Sequence, residues 1–132
     1  MLIGELAAKS GVPARTIRFY EDKGILPDPA RTTAGYRDYD VADVFRLRFV
    51  RSAQDAGLRL AEIRSILAIR SEGEAPCQHT MVLLEAKRVE IASRLEHLGA
   101  LQTELDRMLE AGHEIGPETC DPDAICSIVP RR

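Results

Sequence analysis

Apolar residues recur at helical spacing in five stretches of this chain, with one short extended-looking segment between the second and third. Ile3, Leu6 and Ala7 share one face of a first helix. Ser10-Gly11-Val12 reads as a turn, because glycine tolerates a left-handed backbone and valine can plug a small core. Pro13 suits the first turn of a second helix, where its missing N–H costs nothing. In that helix Ile17 and Tyr20 can face inward while Arg15, Thr16 and Arg18 face outward, and Gly24 reads as its stop. Pro27 and Pro29 break helix, Thr32-Thr33-Ala34-Gly35 forms the tip of a ribbon, and Tyr36, Arg37 and Tyr39 line its return strand. Asp40 reads as the N-cap of a third helix to about Ala56, with Val44, Leu47 and Val50 inside. Leu58 to Ile69 reads as a fourth, with Leu60, Ile63, Ile66 and Leu67 apolar.

Ser71-Glu72-Gly73-Glu74-Ala75-Pro76 is a polar break, and from Cys77 to about Ala111 the pattern is one long helix. Leu84, Ile91, Leu98 and Leu105 repeat every seven residues, with Leu95, Leu101 and Met108 between them. That is a coiled-coil seam, and nothing else in the chain is long enough to cover it, so a second copy is the expected partner. Gly99 lies within it at a cost of about 1 kcal/mol against alanine, and His97 lies beside it, facing solvent. The resulting fold is mostly α: a winged helix-turn-helix head (residues 1–75), a dimerisation helix (76–112) and a C-terminal loop and tail (113–132).

Charge narrows the head's role. Residues 1–75 carry twelve Lys/Arg and eleven Asp/Glu, while residues 76–132 carry six and ten, within a net charge of −3. A diffuse nucleic-acid binder would be far more basic. Contact with double-stranded DNA, the usual work of a winged helix-turn-helix, must therefore rest on placed groups such as Arg15, Arg18, Arg31 and Arg37. No segment reads as a secretory leader or a membrane span, so a soluble cytoplasmic protein is expected.

Three cysteines remain: Cys77, Cys120 and Cys126. An odd count in a cytosolic chain argues against a disulfide framework. About 35 helical residues at 1.5 Å each span roughly 50 Å, so Cys77 and the other two sit at opposite tips of a rod. Within one chain they are too far apart to share a ligand; in an antiparallel dimer, Cys77 of one copy meets Cys120 and Cys126 of the other. Cys77 follows Pro76 at a helix N-terminus, where the dipole suits an anionic ligand atom. The Cys120–Cys126 loop can wrap an ion, and Ile125, Ile128 and Val129 can shield it. Three thiolates select soft ions, Hg(II), Cd(II), Pb(II) or Zn(II), with Cu(I) also possible. His79 and His113 are possible extra ligands for tetrahedral zinc, although single histidines are more often plain surface residues.

The head residues IGELA…SGV…RTIRFYE, KGIL, AGYRDYD and AGLRLAEIRSIL resemble the MerR family of transcription regulators, and the likeness runs through the whole chain. The resemblance implies a homodimer on a two-fold operator within a promoter whose spacer is too long. Effector binding would then untwist the DNA so that RNA polymerase engages both promoter elements. It also implies DNA contacts at Arg15, Thr16, Arg18 and Tyr20, and at Arg31, Tyr36, Arg37 and Tyr39 in the wing. Phe19 stands where many members carry tyrosine, which removes a hydroxyl. A cysteine opening the dimer helix resembles the divalent-metal sensors, whereas copper(I) sensors usually lack it; the C-x5-C loop is shorter than in the familiar mercury, cadmium and copper sensors.

The alternatives are a thiol redox or electrophile sensor on the same scaffold and, more remotely, a small zinc hydrolase using Glu118, Asp121 or Asp123 as base. An iron–sulfur sensor lacks its four-cysteine cluster, and a drug sensor lacks room for a pocket after the long helix. No HExxH-type or nucleophile motif supports an enzyme.

Overall fold

The computed structural model describes residues 1–116 and 120–130. Seven elements follow in order: α1 (Ile3–Ser10), α2 (Ala14–Asp22), β1 (Ala30–Arg31), β2 (Arg37–Asp38), α3 (Val41–Asp55), α4 (Leu60–Ser71) and α5 (Cys77–Glu114). They form two compact units, Met1–Lys87 and Arg88–Arg132.

The first unit holds the winged helix-turn-helix head and the first turns of α5. Helix α1 buries Leu6 and Ser10 on one face and ends at Gly11, whose φ of 73° closes the turn while its N–H reaches the Ala7 carbonyl at 2.9 Å. Glycine is favoured there on two counts. The backbone is left-handed, and a Cβ would lie 2.4 Å from Arg51 Nη1, which caps α1 by donating to the Ser10 carbonyl at 3.2 Å. Ser10 is the one buried polar residue among those described, and its Oγ accepts the Val12 N–H at 3.2 Å. Val12, Ile17 and Tyr20 are buried, as the spacing predicts.

The wing is a two-stranded antiparallel ribbon pairing Ala30 with Asp38 and Arg31 with Arg37. Its tip closes through Thr32, whose N–H reaches the Tyr36 carbonyl at 2.8 Å and whose Oγ1 accepts the Tyr36 N–H at 3.2 Å. Helix α3 opens with a reciprocal capping box: Asp40 accepts from the Asp43 N–H at 3.3 Å, and Asp43 from the Asp40 N–H at 3.1 Å. Helix α4 starts two residues later than its apolar pattern suggests. Gly57 turns the chain, the Leu58 N–H returns to the Ala53 carbonyl at 3.0 Å with its side chain buried, and Arg59 remains extended. The Arg59 N–H then donates to Glu62 at 2.9 Å and fixes the helix start. Leu6, Ile17, Ile25, Leu47, Val50 and Ile63 form the most deeply buried part of the core, so every head helix contributes to it.

Helix α5 runs one turn further than its sequence pattern suggests, to Glu114, and contains no buried residue. Its seam is open in a single chain: Ile91 is 48% exposed, Leu98 58% and Leu105 57%. In the second unit the tail returns onto the end of the helix, with Ile128 seated over Gly112; a Cβ there would lie 3.2 Å from Ile128 Cδ1. Gly116-Pro117 reads in the sequence as the stop that follows this helix, and Pro117 lies outside the described residues.

Candidate nucleic-acid interface and cysteine sites

The outward face of α2 carries Arg15 and Arg18, both exposed, with Thr16 half-buried beside them. Ile17 and Tyr20 point into the core, so the helix is held by one side and offers the other. Between this helix, the start of α1 and the wing lies an open cleft of about 570 Å³. Its walls include Leu2 and Glu5 on one side and Arg18, Arg31, Tyr36 and Arg37 on the others. Three guanidinium groups and a 65%-exposed tyrosine thus converge on one groove, an arrangement suited to phosphate oxygens. Phe19 is 44% exposed, and Lys23 Nζ lies 5.6 Å from its ring centre.

Tyr20 and Tyr39, expected among the DNA-facing groups, are placed otherwise. Both are buried, at 5% and 3% exposure. The Tyr20 hydroxyl bonds to Gln54 Oε1 at 3.2 Å and the Tyr39 hydroxyl donates to Glu21. A tyrosine has one hydroxyl proton, so neither has one left for a phosphate. Burial, followed by the Glu21 hydrogen bond and charge, pushes the Tyr39 phenol well above the usual tyrosine range. Arg37 is shared: it lines the cleft, and its Nε donates to Glu21 Oε2 at 3.0 Å. Glu21, which no local pattern singles out, joins α2 to the return strand of the wing. Its partners lie 16 and 18 residues away, beyond any local pattern.

All three cysteines are exposed and unpaired. Cys77 is the first residue of α5, in a turn closed by Thr80, whose N–H and Oγ1 both donate to the Pro76 carbonyl at 2.9 Å. Cys120 and Cys126 flank the tail turn in the second unit. There the Asp121 N–H donates to Ser127 Oγ at 2.9 Å, and Cys120 Sγ lies 3.4 Å from the same oxygen. Hydrogen bonds from the Ser127 hydroxyl and backbone favour the thiolate and hold the Cys120 thiol below the ordinary cysteine value. Ser127 carries no sequence signal for this task; the turn alone brings it round. Of the residues expected to shield the cysteines, Ile125 is fully exposed, Val129 is 56% exposed, and Ile128 is half-buried on Gly112.

Among the described residues no three His, Cys, Asp or Glu side chains of a single chain gather into a group able to hold an ion. Accessible thiols are donors of the kind that a soft metal takes. His113 is exposed in the last turn of α5. His79 is half-buried, with Nε2 2.7 Å from Ser65 Oγ. Asp121 and Asp123 are tied into the tail turn, where the Asp123 N–H meets Asp121 Oδ1 at 2.9 Å; Glu118 lies outside the described residues.

Comparison with known proteins adds two family matches. Residues 1–68 match a family described as MerR HTH family regulatory protein, and residues 44–108 one described as MerR, DNA binding. The mercuric resistance operon regulatory protein of Bacillus cereus is 39% identical over 119 residues, covering 90% of this chain and 87% of its own. The transcriptional regulator ZntR of Escherichia coli is 36% identical over 110 residues, covering 83% and 78%. Among solved structures, a transcription regulator of Ralstonia metallidurans in complex with lead(II) superposes with a TM-score of 0.77. It is 33% identical, and the match covers 97% of this chain and 95% of that one. A dual-function regulator of Bacillus megaterium in complex with mercury(II) is 35% identical over the same shares, with a TM-score of 0.58.

Proposed function

Since the chain belongs to the MerR family of helix-turn-helix regulatory proteins, we propose that it is a metal-responsive regulator of transcription rather than an enzyme. Two copies pair through the open seam of α5 and bind a two-fold operator in promoter DNA. Arg15, Thr16 and Arg18 enter from α2, and Arg31, Tyr36 and Arg37 hold phosphates from the wing, while Tyr20 and Tyr39 position those groups from inside the head. The working division is a DNA-binding head (1–75), a dimerisation helix (76–112) and an effector loop (113–132).

The observation that carries the effector reading is the distribution of thiols. Cys77 opens α5 while Cys120 and Cys126 follow its end, and all three are exposed. Antiparallel pairing brings Cys77 of one protomer to Cys120 and Cys126 of the other, making two equivalent three-thiolate sites. Such sites take soft ions, Hg(II), Cd(II), Pb(II) or Zn(II); Cu(I) ranks behind them because copper(I) sensors of the family usually lack a cysteine at the position of Cys77. The relative named for mercuric resistance, and the solved regulators holding lead(II) and mercury(II), support a soft ion as the class. Ion binding drives a switch only through its different affinity for two arrangements of the dimer. The ion-bound arrangement untwists the operator so that RNA polymerase engages the promoter.

The test is anaerobic titration of reduced protein with each ion, followed by transcription in vitro from the cognate promoter. Two ions per dimer and ion-dependent transcription are expected, with both lost in Cys77→Ser. Transcription that follows an oxidant and ignores metal would replace this reading with thiol redox sensing on the same scaffold.

A further inference from the structure

The first turns of α5 belong to the same compact unit as the head, and the residues that attach them fall on one stripe. His79, Leu83 and Lys87 are spaced four apart, so they stack along a single face of the helix. Leu83 packs against the head core. Lys87 Nζ lies 3.8 Å from Glu62 on α4, and its aliphatic stem passes 3.7 Å from where a Cβ on Gly57 would sit. His79 Nε2 is 2.7 Å from Ser65 Oγ, one turn of α4 beyond Glu62.

The direction of this last bond follows from counting protons. Ser65 has one hydroxyl hydrogen and gives it to the Glu62 carbonyl at 2.6 Å. Its oxygen can therefore only accept from His79, which places a proton on Nε2. A protonated ring nitrogen has no lone pair for an ion, so the edge of the imidazole that faces the head is closed to metal. The ring is a strut between α5 and α4, two residues from Cys77.

We propose that His79 is the positioning residue linking ion capture at Cys77 to the DNA-binding head, through Ser65 and α4. This rests on the metal-responsive reading above. When Cys77 is drawn into an ion's coordination shell, the first turn of α5 moves or stiffens. The His79–Ser65 bond then passes that change to α4, whose Ile63 and Ile66 are buried in the head core. Without the bond the ion still binds, but its effect on the head is weakened.

The test uses full-length protein and Cd(II) as probe, because its thiolate bonds give an ultraviolet charge-transfer band. His79→Ala, Ser65→Ala and the double variant are compared for Cd(II) affinity, for that band, for operator binding without metal, and for Cd(II)-induced transcription. Expected are affinities within about twofold of the unaltered protein, an unchanged band, and induction lower by about tenfold, a typical coupling strength. The double variant should match either single one, since both remove the same bond. His79→Gln, which keeps an N–H donor at similar reach, should restore much of the induction. If His79→Ala fails to fold, Ser65→Ala carries the comparison.

Full induction in both single variants would overturn the strut while leaving metal sensing intact. A tenfold loss of Cd(II) affinity with an altered band in His79→Ala alone would make the histidine a ligand, and would also overturn it. No thiolate band in the unaltered protein would remove the metal reading and the strut together.

Discussion

Arg37 on the wing gives its Nε–H to Glu21 on α2 at 3.0 Å, and the Glu21 side chain is only 6% exposed. The pair fixes where the ribbon stands relative to the helix. Arg37→Ala leaves a nearly buried carboxylate with Tyr39 as its remaining partner. The loss expected is about 1–3 kcal/mol of stability, between the values for exposed and fully buried pairs. Urea unfolding measures it, and Arg37→Lys should recover only part, because an ammonium does not reproduce the guanidinium geometry.

The buried Tyr39 predicts a dependence on alkaline pH. Its folded phenol holds its proton beyond the pH of about 10 at which an unfolded tyrosine releases it. The unfolded state therefore binds fewer protons in that range, and stability falls as pH rises from there. Tyr39→Phe should cost about 1 kcal/mol near neutrality through the lost Glu21 bond. It should also flatten the alkaline decline, so the two stability curves converge as pH rises. Parallel curves would contradict the assignment.

Arg18 lies in the cleft between α2 and the wing and, among the described residues, has no structural hydrogen bond comparable to that of Arg37. Arg18→Ala should weaken operator binding and reduce the slope of log K against log salt by about 1, as for one lost phosphate contact. Metal affinity should stay unchanged. Fluorescence anisotropy over a salt series reads both quantities, and an unaltered slope would place the residue away from DNA.

Ser127 favours the thiolate of Cys120, so Ser127→Ala should raise that thiol's pKa toward the ordinary value. In a Cys77→Ser, Cys126→Ser background, alkylation by iodoacetamide should slow near neutrality and recover at high pH, where all of the thiol is ionised. Equal rates throughout would show that the hydroxyl plays no part.

Much of this architecture is legible residue by residue. Gly11 after an apolar helix, Asp40 three residues before Asp43, and the heptads from Leu84 to Leu105 are local signals, and local geometry obeys them. The start of α4 is not, because burial of Leu58 against the core extends the turn before Arg59 closes it. Nor is the inward commitment of Tyr20 and Tyr39. Spacing puts a tyrosine on a face, but only tertiary packing brings Gln54 and Glu21 to its hydroxyl. The same holds for His79, which looks like a spare ligand in sequence and is tethered to Ser65 in the fold.

Beyond its first turns, helix α5 leaves its apolar seam, Ile91, Leu98 and Leu105, largely in solvent within a single chain. A newly made copy therefore leaves a long greasy ridge facing water until another copy arrives. On the proposed pairing, the share of paired chains rises with concentration. The head's grip on a two-fold operator would then depend on how much of the chain is present, before any effector enters.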